Sequence, residues 1–226
     1  MEMKELYKRI EEIGCFTFST ISESGEVHSR IAHFNGFDEN GLYLRTMVTK
    51  PYYRQLIKTG KLTVCGMTDS RVLSHNDDGS TNFPPSYTLR LVGKVKNVPD
   101  EVIKERAQKN KMLLTAVQDM ERYPMMQGAN FIMYAAKGEI YDVDFDLINR
   151  DHKLKRERFS FGGIKFNEAG PQINNNCIAC GLCMESCTFK AIEAGDVYKI
   201  NPKRCDDCGD CINVCKFDAI DASKEF

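Results

Sequence analysis

Residues Cys177 to Cys187 read CIACGLCMESC, and 28 positions further on Cys205 to Cys215 read CDDCGDCINVC. Both runs are spaced C-x2-C-x2-C-x3-C, so eight of the chain's 10 cysteines stand in two copies of one pattern. The match continues beyond them: CTFKAI becomes CKFDAI, pairing Phe189 with Phe217, Ala191 with Ala219 and Ile192 with Ile220. The tail is an internal duplication. Three thiolates two residues apart curl around one face of an iron–sulfur cube, while the fourth is expected to open a short helix leading to the other cube. Ligands are then shared between copies: Cys177, Cys180, Cys183 and Cys215 for one cluster, and Cys205, Cys208, Cys211 and Cys187 for the other. Gly181 and Gly209 fall where the loops are tightest, and turned backbone N–H groups there can point at sulfur. Structural zinc uses separated pairs of cysteines rather than runs of four, and thiols in a reducing compartment do not form disulfides.

The rest of the chain has ordinary globular composition. Its 226 residues, 42% hydrophobic and 28% charged, suffice for one domain plus a small module. A formal net charge of -1 supplies no global field for nucleic acid or an anionic membrane. No apolar run approaches the roughly 20 residues of a membrane span. The opening MEMKELYKRIEEIG is charged and helix-like rather than a secretory leader, so the cytoplasm is the expected location. Cys15 and Cys65, in GCFTFST and LTVCGMT, are expected to be small buried hydrophobes.

Ahead of the tail, a helix is expected over residues 2–13, then strands CFTFSTIS, VHSRIAHFNGF and LYLRTMV separated by ESGE and DENG. A helix from Pro51, the strand KLTVCGMT, a polar loop and the strand SYTLRLVGKVKNV follow. One helix, DEVIKERAQKNKMLLTAV, and a pair of strands, NFIMYAA and GEIYDVDFD, complete the set. Short antiparallel strands without a βαβ rhythm indicate a β-barrel. No GxGxxG, P-loop or HExxH motif occurs. In LYLRTMVTKPYYRQL a strand carries Arg45 and Thr46 to its end, and Thr49 and Lys50 precede a proline at a helix start. Free N–H groups at such a start attract anions, so the constellation suits a phosphate; a capped surface helix with solvated charges is the alternative. The histidines His28, His33, His75 and His152 form no metal-ligand pattern, and the odd separation of His28 and His33 puts them on opposite strand faces.

Two family resemblances rest on these residues. Residues 172–226 resemble a bacterial-type ferredoxin with two [4Fe-4S] clusters, departing from it where Thr188 and Lys216 replace the usual proline after the fourth cysteine. Residues 1–150, through TISESGEVHSRIAHF, GLYLRTMVTKPYYRQLIKTGKLTVCGM and RLVGKVKNV, resemble the pyridoxamine-phosphate-oxidase-like split barrel, nearest its nitroimidazole-reductase-like branch. That resemblance implies FMN, with Arg30, Ile31 and Ala32 along the ring and Arg45, Thr46, Thr49 and Lys50 on the ribityl chain and phosphate. It also implies a homodimer. The family includes haem and deazaflavin binders; a haem would take His33 as axial ligand, whereas the plainer reading makes both His28 and His33 polar strand residues at the barrel rim.

The expectation is therefore a mainly β split barrel with flanking helices over 1–150, a basic and glycine-rich linker over 151–171, and a small α+β ferredoxin-like module over 172–226. The linker reads equally as a solvated connection or as a functional one, in which Lys155, Arg156 and Arg158 face the acidic tail or the flavin phosphate and Phe159 and Phe161 anchor the crossing. The expected function is an iron–sulfur flavoprotein oxidoreductase of an anaerobic cell, exchanging electrons with a small-molecule acceptor or donor. The competing reading is a non-catalytic electron-transfer adaptor that docks on a partner redox enzyme.

Overall fold

The computed structural model describes residues 1–68, 74–75, 77–79, 81–82, 86–144 and 153–226. Two compact units result. The first comprises Met1–Thr68, Leu89–Gly138 and Phe159–Lys165; the second comprises Glu139–Arg158 and Phe166–Phe226, with the described part of 69–88.

Alternation builds the first unit. In β1 (Phe16–Ile21) Phe16, Phe18 and Thr20 are buried, as are Leu62 and Val64 of β5 (Lys61–Met67), the period of two that a strand with one buried face requires. β1 pairs antiparallel with β2 (Val27–Ala32), from Phe16↔Ala32 to Ile21↔Val27, and with β5 through Thr17↔Cys65. β3 (Gly36–Asp38) and β4 (Gly41–Met47) form a hairpin, and β6 (Ser74–His75) with β7 (Thr81–Asn82) a separate short ladder. β8 (Ser86–Val98), β9 (Gly128–Asp144) and β10 (Lys153–Phe161) complete a sheet of order β2-β1-β5-β8-β9-β4-β3, with β10 also on β9. β2 and β3 stand at opposite ends of this order, yet only residues 33–35 join them. The sheet must therefore wrap back on itself, as an open barrel does. Phe34 in that link is buried, its ring 5.0 Å from that of Phe18.

α1 (Met3–Ile13) buries Leu6, Tyr7 and Ile10 on one face. α2 (Pro51–Thr59) starts at its proline and ends at Gly60, left-handed at φ 60°. The single helix expected from Asp100 is broken. α3 (Asp100–Lys109) stops at Asn110, a 3-10 turn follows over Lys111–Leu113, and α4 (Leu114–Arg122) resumes. Asn110 breaks it by accepting from the Met112 N–H at 3.0 Å and donating to the Phe37 carbonyl.

Three further expectations need correction. Cys65 is exposed, because Leu62 and Val64 occupy the inner phase of β5, and Cys15 is exposed as well. The strands NFIMYAA and GEIYDVDFD are one strand, β9, of 17 residues. Gly138 is a packing site within it rather than a turn: a Cβ there would lie 2.3 Å from the Phe159 ring. The stretch 151–171 is not a plain linker, since β10 occupies 153–161, and 139–158 belong to the second unit rather than to a domain ending at 150. His152 and the boundary at 150/151 lie outside the described residues. No described helix is long and apolar enough to cross a membrane.

In the second unit each copy of the repeat is strand, helix, strand: β11 (Gln172–Ile173), α5 (Leu182–Ser186), β12 (Ile192–Glu193), then β13 (Lys199–Ile200), α6 (Asp210–Val214), β14 (Ile220–Asp221). The first strand of each copy pairs with the last strand of the other, β11 with β14 and β12 with β13. The copies interlock. Ile192, Cys183 and Cys211 form the core between them.

Candidate functional site

The duplication is carried into the backbone. Ala179 and Asp207, at the same place in the two copies, are left-handed at φ 56° and 63°; Lys190 and Asp218 match at 50° and 49°. Gly181 and Gly209 stand at φ 88° and 84° and open α5 and α6. The left-handed residues turn N–H groups toward sulfur: Ala179 N–H donates to Cys177 Sγ and Asp207 N–H to Cys205 Sγ, both at 3.4 Å, and Ala191 N–H to Cys187 Sγ at 3.3 Å. The fourth cysteine closes each helix rather than opening one, Cys187 capping α5 and Cys215 capping α6. The third cysteine therefore lies within the helix and the fourth leaves it toward the other copy.

That exit crosses the sets. One cavity is lined by Cys177, Cys180, Cys183 and Cys215, another by Cys187, Cys205, Cys208 and Cys211. Aliphatic and aromatic neighbours fill the walls: Ile173, Ile178 and Tyr198 at the first, Phe189, Ile192 and Ile200 at the second. Among the described residues no three His, Cys, Asp or Glu groups converge as a single metal ion requires. Burial pushes the thiols of Cys183 and Cys208 up, and those of Cys205 and Cys211 up to about 11. As a secondary cause, the neighbours Cys205, Cys208 and Cys187 add to the shift at Cys211.

The two cages differ in what surrounds them. Asp207 accepts from Arg156 Nη1 at 2.5 Å, Ser223 Oγ at 2.6 Å and the Gly170 N–H at 2.8 Å. Those donors hold its carboxyl below the ordinary value, although burial alone would raise it. Arg156 and Arg158 both meet Glu139 Oε2, at 3.6 and 2.6 Å, and Tyr141 donates to Asp206. Leu154 packs on Phe189, which is 7% exposed. The parts of β9 and β10 that belong to the second unit are thus bolted to the second copy. At the first cage the matching positions are bare: Ala179 replaces Asp207, Ile178 and Leu182 replace Asp206 and Asp210, and Phe217 is 42% exposed. Arg156 and Arg158 were legible in the sequence as cations facing acid. Glu139, Tyr141 and Asp207 were not, although an aspartate between two ligand cysteines where the other copy has alanine was the available signal.

In the first unit β4 delivers Arg45 and Thr46, and Lys50 caps α2 through its backbone. Thr46 is buried, while Thr49 and Lys50 are exposed. Arg45 is the unusual member. Its Nε and Nη1 are buried and find no hydrogen-bond partner among the described residues, and its guanidinium lies against Gly128, where a Cβ would sit 2.2 Å from Nη2. A buried guanidinium left unsatisfied is unfavourable unless a ligand oxygen completes it. Arg30 is engaged inside the protein: it donates to Thr20 Oγ1 at 2.7 Å, the Phe18 carbonyl at 3.1 Å and Gln55 Oε1 at 3.1 Å, over the Tyr52 ring. Burial lowers its pKa from the ordinary arginine value. Ile31 is 70% exposed on β2, the edge of the strand order, with Ala32 half-buried beside it. His28, His33 and His75 are all exposed.

With this geometry in hand, comparison with known proteins decides the tail. Residues 176–219 match the family model of the 4Fe-4S dicluster domain. They form an iron–sulfur domain of the electron-transfer kind. No curated protein matches the chain. Among solved structures, the chain is similar to a NimC/NimA family protein from Clostridium acetobutylicum (22% identity, TM-score 0.47, covering 70% of this chain and 92% of that one). It is also similar to a pyridoxine-phosphate-oxidase-family protein of the same organism, related to general stress protein 26 (18%, TM-score 0.41, 70% and 92%). An FAD- and heme-binding protein from Mycobacterium smegmatis aligns at 13% identity, TM-score 0.45, over 59% of this chain and 66% of its own.

Proposed function

We propose that this chain is an iron–sulfur flavoprotein oxidoreductase, with two [4Fe-4S] clusters in the tail and FMN on the barrel. The observation that carries the reading is the crossing of ligands: each cavity takes three cysteines from one copy and the fourth from the other. Cys177, Cys180, Cys183 and Cys215 hold one cluster as thiolates, and Cys187, Cys205, Cys208 and Cys211 the other. The N–H groups of Ala179, Asp207 and Ala191 donate to ligand sulfurs and stabilise their negative charge. On the barrel, Arg45 supplies buried N–H donors in search of an acceptor, and Thr46, Thr49 and Lys50 extend that donor set to the helix start. Since the Arg30 guanidinium is occupied, residues 30–32 serve through the backbone of the edge strand. A flavin exchanges one or two electrons and each cluster one, so together they split a two-electron reaction into single steps. No side chain needs to act as a nucleophile.

Exposed Val27 and Ile31 on the edge strand, each 70% exposed, favour burial against a second copy, which sedimentation of the purified protein tests. The test of the main reading is anaerobic purification, incubation with FMN, and assay of iron, sulfide and flavin. About eight irons and one FMN per chain are expected. Absence of flavin refutes the barrel half, and absence of labile sulfide refutes the tail half.

An electron-transfer adaptor that docks on a partner redox enzyme is the second reading. It is favoured by the exposed rim of Ile178, Leu182 and Phe217 around the first cage. Turnover of a nitro compound or quinone by the isolated protein supports the enzyme; reduction only in the presence of a partner supports the adaptor.

A further inference from the structure

We propose that the barrel unit carries a second, separate ligand site, for a small organic phosphate, on the outer face of β5, β8 and β9. Val95 N–H donates to the Gly60 carbonyl at 2.8 Å, which sets Gly60 opposite Val95 in the antiparallel pair and hence Lys61 opposite Lys94. Leu62 and Val95 take the inner face, so both lysines stand exposed on the outer one. Like charges directly opposite each other across two strands are destabilising. Here the adjacent strand adds a third lysine, Lys137 of β9, to the same wall.

These lysines do not stand on a flat surface. They line a cavity of about 270 Å³ that also takes in Ser19, Thr59 and Thr63 with the aliphatic side chains of Ile21, Val92 and Ile164. No carboxylate is among its described lining residues. The cavity is small, near the lower bound of about 300 Å³ for ligand pockets. Lys61 and Lys94 with neighbouring hydroxyls match a phosphate dianion, and the aliphatic strip beside them matches a compact apolar body. A phosphate monoester joins both features, and its charge offsets the repulsion between Lys61 and Lys94. The site is distinct from the Arg45 constellation and does not rest on the flavin reading.

The test uses the full chain, purified anaerobically, with phenyl phosphate as the probe in calorimetric titration and thermal unfolding. The wild type is expected to bind and to unfold at higher temperature with the probe, and phenol to do neither. Lys94→Gln is expected to weaken binding roughly tenfold, the scale of one charge-assisted hydrogen bond, and Lys61→Gln with Lys94→Gln to abolish it. Without the probe, Lys94→Gln is expected to unfold at a higher temperature than the wild type, since the like-charge pair is gone. The proposal is overturned if phenyl phosphate does not bind, if phenol binds as well, or if the double variant binds unchanged.

Discussion

Replacing Asp207 by alanine should loosen one iron–sulfur cage and spare the other. The carboxylate holds Arg156, Ser223 and the Gly170 N–H together, and Arg156 is 8% exposed at its side chain. Removing one member of a buried ion pair costs about 3–5 kcal/mol. The Asp207 side chain is 28% exposed and Arg156 keeps Glu139, so about 2 kcal/mol is the reasonable share here. The backbone adds little, because alanine already occupies the equivalent left-handed position at Ala179. Asp207 titrates below the ordinary carboxylate value, so its stabilisation is complete at neutral pH. It is lost only as pH falls below about 4. At neutral pH, iron release to a ferrous chelator under anaerobic conditions should run in two phases of about four irons each in the wild type. The slow phase belongs to the cage of Cys187, Cys205, Cys208 and Cys211. In Asp207→Ala that phase should accelerate roughly thirtyfold if opening becomes easier by about 2 kcal/mol. An unchanged slow phase, or equal acceleration of both phases, would refute the idea that Arg156 and Asp207 clamp the second cage.

Cluster loss should follow the crossed assignment: Cys215→Ala should behave like Cys177→Ala in iron content and EPR signal, and Cys187→Ala like Cys205→Ala. Combining Cys177→Ala with Cys215→Ala should remove no more iron than either alone, whereas Cys187→Ala with Cys215→Ala should remove nearly all. Arg45→Met should raise the thermal stability of the flavin-free protein by about 1 kcal/mol or more, because an unsatisfied buried donor disfavours the fold by about 1–3 kcal/mol. The same change should weaken FMN binding, read by quenching of flavin fluorescence. Asn110→Ala removes the side chain that turns α3 into the 3-10 segment and should destabilise the barrel by about 1 kcal/mol, measured by thermal unfolding.

Several features were readable before any coordinates because they depend on short stretches of chain. Proline at the start of α2 and the doubled cysteine spacing are local constraints, met within one turn or one loop. Errors arose where a distant partner overrode local preference. Asn110 breaks a good helical sequence because Phe37, far back in the chain, presents a carbonyl to it. Gly138 reads as a turn, yet the Phe159 ring takes the space its side chain would fill and β9 runs straight through. Cys65 lies in an apolar context but in the outward phase of β5.

At the cages the division is clear. Eight cysteines at repeated spacing were enough to foretell which four line each cavity, three from one copy and the fourth from the other, because a short loop and a short helix leave the side chains few places to go. The inequality of the two cages lay beyond the sequence. It depends on Arg156, Glu139 and Leu154 arriving from another part of the chain at Asp207 and Phe189, while Ala179 and Phe217 receive no such cover in the described structure. The spacing of ligands is a property of a segment; burial and charge around them are sums over everything that packs nearby.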